Sequence, residues 1–172
     1  MNKIILSLFS ILTLFFAGQL YSEEKVIFGW PRVIDGDSIS IRQESIRLHG
    51  IDAPEIRQIC RNKNNKPYMC GMIAKDTLKN FIEIHSSGGH HQKKVYCYYS
   101  ERDRYKRIIG KCYVGKDSEF NLNHEMVISG QAVAYTKYSK DYIEAENTAK
   151  AKGRGIWQGK FDLPEEWRRK NK

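Results

Sequence analysis

Apolar and polar residues alternate strictly in two short runs, Ser38-Ile39-Ser40-Ile41-Arg42 and Ile46-Arg47-Leu48-His49. A period of two is that of a strand with one face in a core and the other in solvent. The polar stretch Gln43-Glu44-Ser45 between them predicts a hairpin within a β region over residues 25–51. Residues 52–70 hold Pro54, Pro67, three asparagines and two cysteines, and read as loop. From residue 71 to about 84, Ala74, Leu78, Phe81 and Ile82 fall on one helical stripe, which Ser86-Ser87-Gly88-Gly89 ends. Residues 94–99 and 107–114 read as a second pair of strands, and in a symmetric hairpin Cys97 faces Cys112. Residues 121–129 and 141–152 read as helices stopped by Gly130 and Gly153. The pattern predicts an α+β fold: a small β-barrel or curled sheet of about five strands with three helices. Residues 167–172 are expected to be a frayed basic tail.

The first residues stand apart from this pattern. Lys3 precedes an apolar run over residues 4–17 broken only by Ser7, Ser10 and Thr13. A charged start and a short apolar run make a signal peptide, too short for a comfortable membrane span. We read residues 1–22 as that signal, cut after Ser22, and residues 23–172 as a single domain, secreted or periplasmic. An uncleaved anchor is the alternative. Export changes the meaning of the four cysteines, which allow three pairings. In an oxidising compartment disulfides are favoured over a zinc site, whose ligand spacings these cysteines lack. Neighbours pair most simply, Cys60 with Cys70 and Cys97 with Cys112.

Charge adds a class of partner. Lys and Arg number 29 against 20 Asp and Glu, for a net charge of +9 and a pI near 9.4. A basic domain of this size meets polyanions: nucleic acid, anionic lipid or acidic protein. Candidate chemistry concentrates in residues 35–55. Asp35-Gly36-Asp37 opens one strand and Asp52-Ala53-Pro54-Glu55 closes another. Gly36 is expected to permit a sharp turn that brings the carboxylates together. Pro54 holds Ala53 extended, freeing its carbonyl. Carboxylates plus a carbonyl suit a hard divalent cation, Ca²⁺ most naturally. The competing reading makes these residues turn formers and strand caps. Arg47 and Arg107 bring the planar fork that matches a phosphate.

These runs, with Asp103-Arg104-Tyr105-Lys106-Arg107, Gly71, Ala74-Lys75, Asn121-Leu122-Asn123, Met126, Gly130-Gln131-Ala132 and Gly155-Ile156-Trp157, resemble the staphylococcal nuclease family over residues 26–157. The resemblance implies a five-stranded OB-fold β-barrel with three α-helices, and Ca²⁺-dependent hydrolysis of DNA and RNA. It implies Asp37, Asp52 and the Ala53 carbonyl as Ca²⁺ ligands, with Asp35 behind them. Glu55 would be the general base on water, and Arg47 and Arg107 the stabilisers of phosphate charge. Tyr105, with Tyr135 or Tyr138, would line the nucleotide pocket. A monomer is expected, with no stable membrane association once the signal is cut. Departures from the family are Ala53 and Ser38 where threonine is usual, Lys106 where glycine is common, and the insertion bearing Cys60 and Cys70. A nuclease-like OB module that binds nucleic acid or protein without cutting is the alternative. The adjacent pair His90-His91 reads as solvated loop, as do the charges of Asp117 and Glu119.

Overall fold

The computed structural model describes residues 24–86, 93–116 and 120–171. The signal peptide and its cut, Gly88-Gly89, His90-His91, Asp117 and Glu119 lie outside the described residues.

The two alternating runs form strands as their period demands. β1 (Lys25–Gly29), β2 (Arg32–Val33), β3 (Ser38–Ile41), β4 (Glu44–Leu48) and β5 (Ile51–Asp52) come first. The hairpin turn is Arg42-Gln43, with Ile41 opposite Glu44, one residue earlier than polarity suggests. Both turn residues have positive φ, 49° and 71°, as a two-residue turn between twisted strands requires. Glu44 and Ser45 are polar because they stand at the half-buried start of a strand, not because they turn.

Inside the predicted loop lie two short strands, β6 (Cys60–Arg61) and β7 (Pro67–Tyr68), antiparallel to each other. Helix α1 (Cys70–Ser86) follows, then β8 (Val95–Tyr99), β9 (Ile108–Val114) and β10 (Phe120–Asn121). Helix α2 (Leu122–Ile128) is capped by the Asn121 side chain, which accepts from the His124 N–H. After β11 (Val133–Ala134) come α3 (Ile143–Ala151), a 3₁₀ turn (Gly155–Gln158) and α4 (Pro164–Lys170). The expectation of three helices is thus corrected to four α-helices among the described residues. The supposed frayed tail is largely α4, with Pro164 in its first turn beside Glu165 and Glu166, and Arg168, Arg169 and Lys170 in its last. That arrangement suits both the proline's missing N–H and the helix dipole.

Strand order is β1-β8-β9-β4-β3-β2, with β10 added to β9. All pairs are antiparallel except β4 with β9, where Ile46 lies beside Ile108 and Arg47 beside Ile109. No ladder joins β2 back to β1 among the described residues. The sheet nevertheless bends until β1 packs against β3: a Cβ built on Gly29 of β1 would lie 2.9 Å from Ile41 of β3. The Arg42 guanidinium covers the Phe28 ring at 4.8 Å.

The concave face buries Ile39, Ile41, Ile46, Leu48, Val95, Ile108 and Val114 with Ala74, Leu78 and Ile82 of α1, each large side chain contributing about 1.5–3 kcal/mol. Cys97 and Cys112 are directly opposed across β8 and β9 and form a disulfide inside this core. Cys60 and Cys70 form the second, in a smaller cluster with Val133 and Ile156 that Tyr68, Trp157 and Phe161 cover. Tyr142 is buried against the core. No helix among the described residues is long and apolar enough to cross a membrane.

Candidate active site

Arg47 occupies the outward position between buried Ile46 and Leu48. Its guanidinium donates through Nη1 to Asp37 Oδ1 at 2.8 Å and through Nη2 to Asp52 Oδ1 at 2.7 Å. Asp37 stands just before β3 and Asp52 ends β5, so two segments distant in sequence converge on one side chain. Asp37 also accepts from the Ser38 hydroxyl at 3.0 Å and, through Oδ2, from the Ala53 N–H at 2.8 Å. Asp35 lies behind, accepting the Asp37 N–H at 3.0 Å.

Gly36 is needed here for space rather than for the turn that the sequence suggests. Its φ is not positive, but an added Cβ would stand 2.7 Å from the Ala53 Cβ and 2.8 Å from that of Ala74. Gly71 does the same on the other side, where a Cβ would come within 1.8 Å of the Glu55 carbonyl oxygen. Two glycines thus let α1 press against both acidic segments.

Electrostatics follow from burial. Desolvation pushes the Asp37 carboxyl above the ordinary carboxylate range; Arg47 opposes this and Asp35 adds to it. Asp52 is raised for the same first reason, against hydrogen bonds from Arg168. For Arg47 burial works against the charge, but Asp37 and Asp52 outweigh it and hold the guanidinium protonated. Asp37, Asp52 and Glu55, the carboxyls that Arg47 and Arg168 touch, with Asp35 behind them, outnumber those two guanidiniums. The cluster therefore has charge and oxygen donors to offer a hard cation. Two carboxylates and the Ala53 carbonyl fit Ca²⁺ in donor chemistry. Among the described residues no group of three or more His, Cys, Asp or Glu is placed to hold a metal ion by itself.

Arg168 is the residue that the sequence pattern misses. From the last turn of α4 it donates through Nη1 and Nη2 to Asp52 Oδ1 and Oδ2, both at 2.9 Å, and through Nη1 to Glu55 Oε1 at 2.9 Å. The signal available was Pro164-Glu165-Glu166 followed by Arg168-Arg169-Lys170, a start and stop without an apolar stripe.

Arg107 is held elsewhere. Its Nε and Nη2 bind Asp103 Oδ2 at 2.8 Å, and its own N–H donates to Asp103 Oδ1 at 2.9 Å. Its ion pair is with Asp103 rather than the acidic cluster; in the parallel register of β4 and β9 it lies two positions before Ile109, the partner of Arg47. Tyr105 is exposed, with Arg104 and Arg107 at 4.8 and 5.6 Å from its ring. Tyr135 and Tyr138 pack edge to face at 4.8 Å. Of the two, Tyr135 is the half-buried one: burial raises its phenol first, and the charges of Glu165 and Asp52 add to the shift. Tyr138 is largely exposed. Lys106 has φ 65°, the left-handed value that a glycine adopts freely.

Comparison with known proteins adds an independent line. The family described as "Staphylococcal nuclease homologue" matches residues 45–159. A protein named succinoglycan biosynthesis protein ExoI from Rhizobium meliloti is 36% identical over 135 residues, 77% of this chain and 65% of the relative. An uncharacterized endonuclease from Haemophilus influenzae is 33% identical over 179 residues, 99% of this chain and 88% of its own length. Another from Escherichia coli is 32% identical over 155 residues, covering 80% and 88%.

Proposed function

The chain belongs to the staphylococcal nuclease family, and from that membership we propose that it is an exported Ca²⁺-dependent endonuclease that hydrolyses the phosphodiester bonds of DNA and RNA. The observation that carries this reading is the convergence of Asp37 and Asp52 on the Arg47 guanidinium, with Glu55 beside Asp52. The bent sheet, with β1 against β3 at its seam, is on this reading the family's five-stranded OB barrel. The two disulfides fit an extracytoplasmic compartment.

Phosphodiester hydrolysis asks the protein to neutralise charge on the phosphate oxygens and to position one water. Asp37, Asp52 and the Ala53 carbonyl would hold Ca²⁺, which when bound would supply positive charge to the phosphate. Arg47 spends two of its five N–H groups on Asp37 and Asp52. Those bonds fix its plane, and the remaining donors meet a phosphate oxygen. Arg107, oriented by Asp103, supplies the second guanidinium. Glu55 takes the proton of the attacking water as general base. Tyr105 and Tyr135 flank the nucleotide. The surplus of basic side chains collects the polyanion through phosphate contacts, so binding weakens as salt rises.

The test follows degradation of single-stranded DNA and RNA by the oxidised protein in Ca²⁺ and in EDTA. Chelation is expected to abolish cleavage. Arg107→Ala should lower kcat about 10²–10³-fold, and Glu55→Gln about 10²–10⁴-fold. Cleavage that survives EDTA, or is equal in Arg107→Ala, sinks the assignment. Salt-dependent binding without cleavage by folded protein would replace it with a non-catalytic nucleic-acid module.

A further inference from the structure

The Asp52 side chain is only 1% exposed, yet both of its oxygens are already engaged by guanidinium groups. Arg47 reaches Oδ1, and Arg168 grips Oδ1 and Oδ2 together while its Nη1 also holds Glu55. A bidentate fork on a buried carboxylate is among the stronger polar contacts a protein makes. Arg47 belongs to the sheet. Arg168 belongs to a separate segment that returns to the site only at the end of the chain.

We propose that Arg168 is a residue of the active site, a tethered cation that competes with the divalent metal for Asp52 and thereby sets the site's metal affinity. The inference rests on the reading of Asp37 and Asp52 as metal ligands. A guanidinium in hydrogen-bond contact with a carboxylate withdraws the negative charge that a metal needs, and repels a second cation brought to the same oxygens. Metal entry at Asp52 therefore costs the Arg168 contacts, and release of Arg168 also frees Glu55 Oε1 to accept a proton from water.

The tether is built, not incidental. Residues 159–162 lie along the disulfide loop: the Arg61 N–H donates to the Lys160 carbonyl at 2.8 Å, and the Lys160 N–H to the Arg61 carbonyl at 2.9 Å. A Cβ on Gly159 would meet the Arg61 carbonyl oxygen at 2.0 Å, so backbone meets backbone there. Gln58, wholly buried, donates from Nε2 to the Asp162 carbonyl at 2.7 Å and accepts the Glu55 N–H at 3.2 Å. It links the acidic segment directly to the approach of α4. Pro164 is buried, and Lys137 pairs with Glu165 at 2.7 Å. Held this way, the guanidinium acts at a high effective concentration beside Asp52.

The test measures Ca²⁺ binding by calorimetry on the oxidised, exported protein without nucleic acid, at constant ionic strength. Arg168→Gln is expected to lower Kd for Ca²⁺ about tenfold, and Arg168→Lys, which cannot make the fork, by less. Arg169→Gln removes the same charge from an exposed neighbour and should change Kd less than twofold. Hydrogen exchange on the unmutated protein gives a second readout: amides over residues 164–170 should exchange faster when Ca²⁺ is saturating. Equal Kd values for wild type and Arg168→Gln, or an equal gain in Arg169→Gln, overturn the inference while leaving the metal site standing. Unchanged exchange across α4 also overturns it. If neither wild type nor Arg168→Gln binds Ca²⁺ at millimolar concentration, the metal reading fails and the inference fails with it.

Discussion

Burial holds the Asp37 carboxyl above the ordinary carboxylate range, with Arg47 pulling it down and Asp35 pushing it further up. A raised folded-state value means that the folded protein binds this proton more tightly than the unfolded chain does. The associated stability is fully present below the unfolded value of about 3.9 and is lost as pH rises through the folded one. Asp37→Asn in EDTA, which mimics the protonated carboxyl, is therefore expected to melt above wild type at pH 7. The gap should close below about pH 4, the unfolded-state value for aspartate. A melting series across pH that shows no gap, or one that widens in acid, contradicts this sign. Lys106 is another residue held against its preference, with φ 65° and its carbonyl accepting from Arg102 at 2.8 Å. Lys106→Gly should add about 1 kcal/mol to unfolding free energy in urea. Arg107 keeps its hold on Asp103, so kcat should change less than twofold.

Among the elements, the β3–β4 hairpin shows what alternation conveys and what it omits. Ile39, Ile41, Ile46 and Leu48 are all fully buried, as a period of two requires. The turn lies at Arg42-Gln43 because outward strand positions are as polar as turn positions, so polarity alone does not separate them. Gln43→Gly relieves a φ of 71° and should stabilise the protein by about 1 kcal/mol in chemical denaturation. Arg42 is left in place for its contact with Phe28. A destabilised Gln43→Gly protein would mean that the turn is not the strained one described. Helix α4 presents the opposite case. Its buried residue is Pro164, so no apolar stripe exists to read. What marks it is proline and acid at the start and base at the end. The loop strands β6 and β7 have two residues each, too few to establish any period.

Across the whole molecule, the disulfide loop and the C-terminal segment act as one unit against the acidic cluster. Replacing Cys60 and Cys70 by alanine is expected to cost about 2–3 kcal/mol, the value of closing a loop of this length. Amide exchange over residues 159–170 should rise well before that of the sheet. Protection that stays unchanged there would show that the loop does not carry α4. The chain by itself determined the strands with one buried face, helices α1 to α3 and the pairing of Cys97 with Cys112, and it marked Asp35, Asp37, Arg47, Asp52 and Glu55 as candidates for one cluster, because periodicity and short motifs are local properties. Tertiary structure alone decided that Gly36 is there for space, that Tyr135 is half-buried while Tyr138 is exposed, that Arg107 rests on Asp103, and that Arg168 reaches Asp52 across a sequence separation of 116. Those facts depend on which distant segments pack together, and a contact between segments leaves no period in either one.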